Sequence, residues 1–360
     1  MKLLDKYIAW QFLSTYVFAG ISFTSLFILV NFIENFDEFI DKDLGTGDVV
    51  LYYLSTVPET VLLISPLSTL LASLYVTGRM SGTSELTAMK AAGVGMHQLL
   101  KPFAAVALLI SLVNILNAGW LRPKAAAEKN RFETEYFNKK FEKISGNKNI
   151  HILESRNRIL SIGALDPQKV TGFNISLETF DGPVIASRID AKSISYDKAL
   201  DRWILHDSRT RIFSENEVLY RENPGSDTLK LSLTASSLRD LSIQPDEMDM
   251  AQHYRYIEEK TEAGFSNLGR VIVKFHNKLA LPLASFIIIL IGVPLSAQKK
   301  RSGLALEFGI SLFIGFIYLG VQRTLSTAGY RGLMDPVFAA WLPNLLFLAV
   351  GAVIYKTANK

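Results

Sequence analysis

Residues 8–33 read IAWQFLSTYVFAGISFTSLFILVNFI, a run without one charged residue and with aromatic side chains near both ends. About 18 or more apolar residues suffice to cross a hydrocarbon layer about 30 Å thick. The run is about twice as long as the apolar core of a signal peptide, and no small-residue cleavage site follows it. It is therefore expected to stay on the chain as a membrane span. Two more runs follow, at 57–76 and 99–121; the first is interrupted by Pro58, Glu59 and Pro66, and the second carries Lys101 at its start. Beyond a long polar middle, residues 279–297, 304–325 and 337–355 repeat the pattern, giving six expected spans.

The bulk composition conceals this division. Of 360 residues, 49% are hydrophobic and 20% charged, which suits a soluble two-domain protein, yet a mean hydropathy of +0.22 is high for so many charges. With no cysteine, the chain excludes a disulfide framework, Cys-ligated zinc, an iron–sulfur cluster and a thiol nucleophile. A net charge of +4 gives little support to nucleic-acid binding.

Basic residues in short loops set the expected orientation. With the N-terminus cytoplasmic, the inner segments hold ten: Lys2, Lys6, Arg79, Lys90, Lys101, Lys299, Lys300, Arg301, Lys356 and Lys360. The short outer loops hold two, Lys42 and Arg331. Both termini are then cytoplasmic, and the middle of the chain lies outside, folding without disulfides in an oxidising compartment.

Within that middle, residues 123–141 suggest an amphipathic helix continuing outward from the third span. Period-two segments then follow at 149–154, 158–162, 173–180, 184–189, 192–196, 202–205, 210–213, 217–220 and 228–233, several separated by Asp-Gly, Asn-Pro-Gly or Asp-Pro turns. Eight or nine short strands predict a sandwich, jellyroll or open barrel, whose edges could accept a strand from another protein. Residues 246–263 read as a helix returning to the membrane, with acids in its first turns. The expected fold is a six-span helical membrane protein, three spans on each side of an inserted all-β, jellyroll-like domain. The boundaries are 1–121, 122–269 and 270–360.

Catalytic patterns are missing. There is no GxxxxGK[ST] phosphate loop, no HExxH and no GxSxG, and the five histidines form no ligand spacing. No metal, cofactor or catalytic residue is expected. Residues 78–97, between spans two and three, are more informative. Thr83 or Ser84 can cap a short helix, Glu85 lies in its first turn and Gly93 can stop it. Leu86, Met89 and Lys90 fall on one face, which suits docking to a soluble partner. The alternative is a helix lying on lipid headgroups. Lys124, Arg270, Lys274, Lys278 and Arg323 fall near outer span ends, where an anionic headgroup could pair with them, although such residues often only snorkel. Arg323 stands out because it lies inside the fifth apolar run, where an arginine is expected to face protein or a wet cavity.

At these residues the chain resembles the LptF/LptG permeases of the lipopolysaccharide export ABC transporter. The likeness covers nearly its whole length. Its sharpest part is Ser84-Glu85-Leu86-Thr87-Ala88-Met89-Lys90-Ala91-Ala92-Gly93, similar to the family's coupling helix, and it extends to Leu4-Asp5-Lys6-Tyr7-Ile8 and Gly292-Val293-Pro294-Leu295. The resemblance implies a permease of the bacterial inner membrane that takes lipopolysaccharide from its outer leaflet. Residues 83–93 would enter an LptB-like cytoplasmic ATPase dimer, which alone would bind ATP, with Glu85 reaching a basic residue. It also implies a second permease, LptF or LptG, together with LptC-like and LptA-like periplasmic jellyroll proteins. Spans one and five would form lateral gates. LptG members carry lysines near the outer end of span one, where this chain has Glu34, Asp37 and Glu38. Those contacts do not carry over, and the branch stays open with a slight balance toward LptG. A membrane protein that transmits ATPase-driven motion without carrying lipid is the alternative.

Overall fold

In the computed structural model, residues 3–137, 148–155, 157–166, 171–197, 202–213, 218–229, 231, 244–262, 268–297 and 304–358 are described. The chain divides into two units, Met1–Lys139 with Gly269–Lys360, and Lys140–Leu268.

The first unit is helical. Its long elements are α1 (Leu3–Glu34), α3 (Thr46–Gly82), α5 (Met96–Leu116), α8 (Gly269–Ser296), α9 (Leu304–Tyr330) and α10 (Pro336–Ala358). Among the described residues six helices are long and apolar enough to cross a membrane, one for each expected span. The chain is a multi-pass membrane protein. Among the loop basic residues of the orientation count, Lys2, Lys299, Lys300, Arg301 and Lys360 lie outside the described residues.

Helices α3 and α8 form the centre. In their most apolar windows 67% and 61% of residues are buried, against 6% in α1. The reason lies in side-chain size. Ser65, Ser68, Thr69, Ala72, Ser73 and Thr77 make the buried face of α3 small, and small faces let helix backbones approach where lipid offers no hydrophobic drive. The tightest crossing sets Gly292 of α8 on Ser73, where a Cβ would fall 1.9 Å from the serine Oγ.

Polar bonds fix the register of these helices. Ser65 Oγ lies 2.9 Å from Tyr16 Oη on α1 and 2.9 Å from Ser285 Oγ on α8, and accepts from Asn114 Nδ2 on α5 at 2.7 Å. One hydroxyl thus joins four helices. Asn344 of α10 donates to Ala280 O of α8 at 2.7 Å and accepts from Tyr318 Oη of α9 at 3.1 Å.

One end of the unit carries a short helix, α2 (Phe36–Asp41), whose Phe39 joins Tyr52, Tyr53, Phe32, Phe132 and Phe137 in an aromatic cluster. Beyond α5 the chain makes a π-helical turn at Asn117–Leu121 and continues as α6 (Arg122–Glu135). Residues 122–135 were expected to open the inserted domain. They belong instead with the membrane helices, because Phe132 enters the aromatic cluster and Tyr52 Oη donates to Glu133 Oε1 at 2.9 Å. Residues 138–141, the end of that expected helix, lie outside the described residues.

The second unit holds an antiparallel sheet of β1 (Lys148–Ser155), β2 (Arg158–Asp166), β3 (Thr171–Asp181), β4 (Val184–Asp197), β5 (Arg202–Phe213) and β6 (Val218–Leu229), hydrogen-bonded in sequence order. The inserted β-domain is therefore present, and its described strands form a meander. Nine expected segments become six longer strands because polar interruptions continue the ladder instead of turning it. Asp190 stays in β4, opposite Arg209, and the His206–Ser208 stretch of β5 forms a bulge with Asp207 at φ +52°. Glu217 and most of the expected strand end at 230–233 lie outside the described residues.

Alternation gives the sheet one apolar face. Ile152, Leu160, Ile162, Ile175, Leu177, Ile194, Trp203 and Leu205 form the buried cluster. On β3, β4 and β5, Arg188 bonds Glu178 at 2.9 Å and Asp190 at 2.8 Å, and Arg211 also pairs with Asp190. Burial pushes the Asp190 carboxyl up, but the two guanidiniums outweigh it and hold the group below the ordinary carboxylate value. The unit also contains α7 (Met250–Glu262), opened by Asp249, whose Oδ1 accepts from Gln252 N at 2.8 Å while its own N–H reaches Gln252 Oε1 at 3.2 Å.

Candidate functional site

The helix read from residues 83–93 is α4 (Glu85–Ala91). Ser84 occupies the N-cap with a left-handed φ of +63° and makes no side-chain cap bond. Gly93, at φ +83°, ends the helix as its backbone freedom allows, with Val94 N bonded to Met89 O at 3.0 Å. The apolar side of α4 faces inward. Leu86 is 3% exposed in a cluster with Ile8, Met80, Met96 and Leu99, and Met89 packs against the same cluster. These two residues anchor the helix to its own bundle, Leu86 fully buried and Met89 half-buried. Thr87, Ala88 and Ala91 are exposed instead. The periodicity located this face correctly as apolar but could not say which side of the loop would be covered.

The Glu85 carboxylate is held at both oxygens. Tyr7 Oη of α1 donates to Oε2 at 3.3 Å, and the Thr83 hydroxyl lies 2.9 Å from Oε1. Lys90 Nζ donates to Ala297 O, just past the end of α8, at 3.3 Å, where a cation complements the helix dipole. The α4 helix therefore touches the ends of α1 and α8 through polar side chains.

The five basic candidates separate. Lys278 is 2% exposed inside the bundle, and Lys274 is half-buried. Lys124 and Arg270 are exposed. Arg323 is exposed as well, which excludes the interior of this chain and leaves the wet cavity of the two expected settings; the inward position belongs to its neighbour Gln322, whose Nε2 donates to Ser326 Oγ at 3.1 Å. One residue along a helix is a turn of about 100°, enough to exchange the two faces.

Glu59, an apparent interruption in the second span, proves to be the acidic centre of this end. It pairs with Arg122 at 3.2 Å and Lys129 at 3.4 Å, and with Lys278, Asn277 and Arg122 it lines a small void of about 40 Å³. A carboxylate in a membrane helix needs partners of this kind. The signal was in the sequence: Glu59 and Arg122 lie at the same expected membrane boundary, at the start of the second span and the end of the third.

Two larger cavities run along α1. One, of about 810 Å³, lies between α1, α3 and α9, with Phe18, Phe23, Leu26, Leu71 and Phe308 as apolar walls. The other, of about 300 Å³, lies between α1 and α3, where Thr24, Ser65 and Ser68 line it. Among the described residues no group of three or more metal-ligating side chains converges.

Comparison with known proteins agrees with this architecture. The chain is 23% identical over 362 residues to lipopolysaccharide export system permease protein LptG of Haemophilus influenzae, covering 96% of each chain. It is 21% identical to lipopolysaccharide export system permease protein LptF of Escherichia coli K12, over 88% of this chain and 84% of that protein. Both branches are thus matched at similar identity. Residues 6–357 match the family model for lipopolysaccharide export system permease LptF/LptG, and the chain belongs to that family.

Proposed function

We propose that this chain is one permease half of an ABC transporter that withdraws lipopolysaccharide from the outer leaflet of the bacterial inner membrane and passes it toward a periplasmic bridge. The chain itself hydrolyses nothing. An ATPase dimer on the cytoplasmic side receives α4, and a second LptF- or LptG-type permease completes the lipid chamber. LptC-like and LptA-like jellyroll proteins take the lipid from the β-domain. The observation that carries this reading is the family match over residues 6–357 on a fold of six candidate spans and an inserted antiparallel sheet.

The energetics require an external drive. Moving buried methylene groups out of lipid costs about 0.8 kcal/mol each, so a lipid with roughly four twelve-carbon chains costs on the order of 40 kcal/mol to extract. A barrier of that size forbids spontaneous release. Proteoliposomes containing the chain, its partner permease, the ATPase and lipopolysaccharide provide the test. ATP-dependent lipid transfer to an acceptor jellyroll protein is expected. ATP hydrolysis with domain motion but no lipid capture by photocrosslinkers in α1 and α9 would instead identify a motion-transmitting protein.

A further inference from the structure

Glu59 grips α6 more firmly than its own neutralisation requires. Its two oxygens take different cations of that helix, Arg122 on Oε1 at 3.2 Å and Lys129 on Oε2 at 3.4 Å. On either side of these pairs the same stretches of chain meet again. Asn117 Nδ2, in the π-helical turn, donates to Pro58 O at 2.9 Å, and Tyr52 Oη donates to Glu133 Oε1 at 2.9 Å. The contacts descend α3 from Glu59 to Tyr52 as they ascend α6 from Arg122 to Glu133, so the two helices run antiparallel along a row of polar bonds.

The root of α6 is built differently from the helices around it. Arg122 N–H bonds Asn117 O, five residues back, where a regular helix would bond Ala118 O. Pro123 follows at once and has no N–H to carry the ladder on. Two defects in succession make this joint the place where the continuous α5–α6 helix bends at least cost. Among the described residues Asn117 Oδ1 is buried there without a hydrogen-bond partner, so the docked geometry leaves one group unsatisfied. The bundle can also spare α6. Buried Lys278 of α8 lines the same 40 Å³ void as Glu59, and a void of that size has room for a water molecule. The Glu59 side chain is 39% exposed, so water can take the place of its partners.

We infer that Glu59 is a positioning residue that docks α6 onto α3, and that α6 leaves α3 in each transport cycle by hinging at residues 117–123. The excursion rests on the transport reading; the docking by Glu59 does not. Because the chain continues from α6 into the β-domain, the hinge gives the membrane helices a discrete way to move that connection.

The first arm of the test uses the full-length chain alone in nanodiscs. Glu59→Gln keeps the shape of the side chain and removes its charge, and amide exchange across 117–135 should quicken by about threefold while 269–296 stays unchanged. Lys129→Gln, which leaves α3 untouched, should give a smaller rise and serves if Glu59→Gln does not fold. Exchange equal to the parent in both variants would overturn the docking role. The second arm introduces Glu59→Cys with Lys129→Cys, an unambiguous pair in a chain without cysteine, and joins them with a short reducible bis-methanethiosulfonate. In proteoliposomes with the partner permease, the ATPase and lipopolysaccharide, the linked protein should keep ATPase association and lose lipid release. Reduction should restore release to the level of the unlinked double variant, a reversal that a purely structural ion pair would not produce. Release by the linked protein at the unlinked rate would show that α6 stays on α3 throughout and overturn the excursion. Absence of release from the parent complex would instead sink the transport reading and the excursion with it, while the exchange arm still decides the docking.

Discussion

Ser65 and Ser285 stand 220 residues apart in the chain, yet their hydroxyl oxygens meet at 2.9 Å inside the bundle. The contact joins a helix before the inserted domain to a helix after it. With Tyr16 and Asn114 on the same Ser65 oxygen, α1, α3, α5 and α8 share one polar point. Interhelical hydrogen bonds in membranes average about 0.6 kcal/mol and reach about 1.7 kcal/mol. Ser65→Ala is expected to destabilise the detergent-solubilised protein by about 1–2 kcal/mol and Ser285→Ala by about 0.6 kcal/mol. Thermal unfolding of both single variants and the double would show costs that do not add, since the two changes remove one shared bond.

The Gly292–Ser73 crossing tolerates no side chain. Gly292→Ala should cost about 1–3 kcal/mol through forced separation of α3 and α8. Adding Ser73→Gly removes the atom that a new Cβ would meet at 1.9 Å and should restore part of the loss. Equal melting temperatures for Gly292→Ala and the parent protein would show that the helices do not cross this closely.

Glu85 links the proposed ATPase contact to α1 through Tyr7. Glu85→Arg should abolish stimulated ATP hydrolysis and lipid release in the reconstituted complex. Tyr7→Phe keeps the ring and loses one bond worth about 0.5–1.5 kcal/mol, a change of roughly twofold to tenfold in stimulated turnover with ATPase association intact. If Glu85→Arg left both association and release unchanged, α4 would not be the coupling element.

Acid should loosen the β-domain locally. The Asp190 carboxyl is held below its ordinary value, so its ion pairs stabilise the fold fully above the unfolded value of about 3.9 and lose that contribution as pH falls through the lowered folded value. Arg211 is raised by Asp190 and stays charged throughout, so it adds no titration of its own in this window. Amide hydrogen exchange should show protection in β4 and β5 falling in strong acid. Asp190→Asn should lower protection at neutral pH and remove that part of the acid dependence.

The spans were legible because each is a long apolar run, and hydropathy needs no knowledge of neighbours. Helix rotation was less so. Arg323 and Gln322 are adjacent in the chain but sit on different faces, and only packing against Ser326 and Asn277 decides which turns inward. The helical pattern of α4 was readable, whereas the burial of Leu86 depends on Ile8 and Leu99, which come from other helices. Glu59 looked like a defect because its partners Arg122 and Lys129 come some 60–70 residues later. One available signal went unused: Ser65, Ser68, Ser73 and Thr77 recur at near-helical spacing on α3, the mark of a face that packs closely against other helices. In the sheet, polar residues at Asp190 and Asp207 imitated turns that the ladder and its bulge absorb.

The close crossing at Ser73 gives α3 a mechanical character. Ser73 lies 27 residues from Thr46 and nine from Gly82, so a fulcrum there divides the rod into one long arm and one short arm. At a constant rise per residue, a small swing imposed on the short arm beside α4 emerges about threefold larger at the α2 end. Pro58 and Pro66 both lie on the long arm and mark where the rod would flex first. Amplification of this kind trades force for travel, which places the larger excursion beside the aromatic cluster, at the end of α3 away from α4.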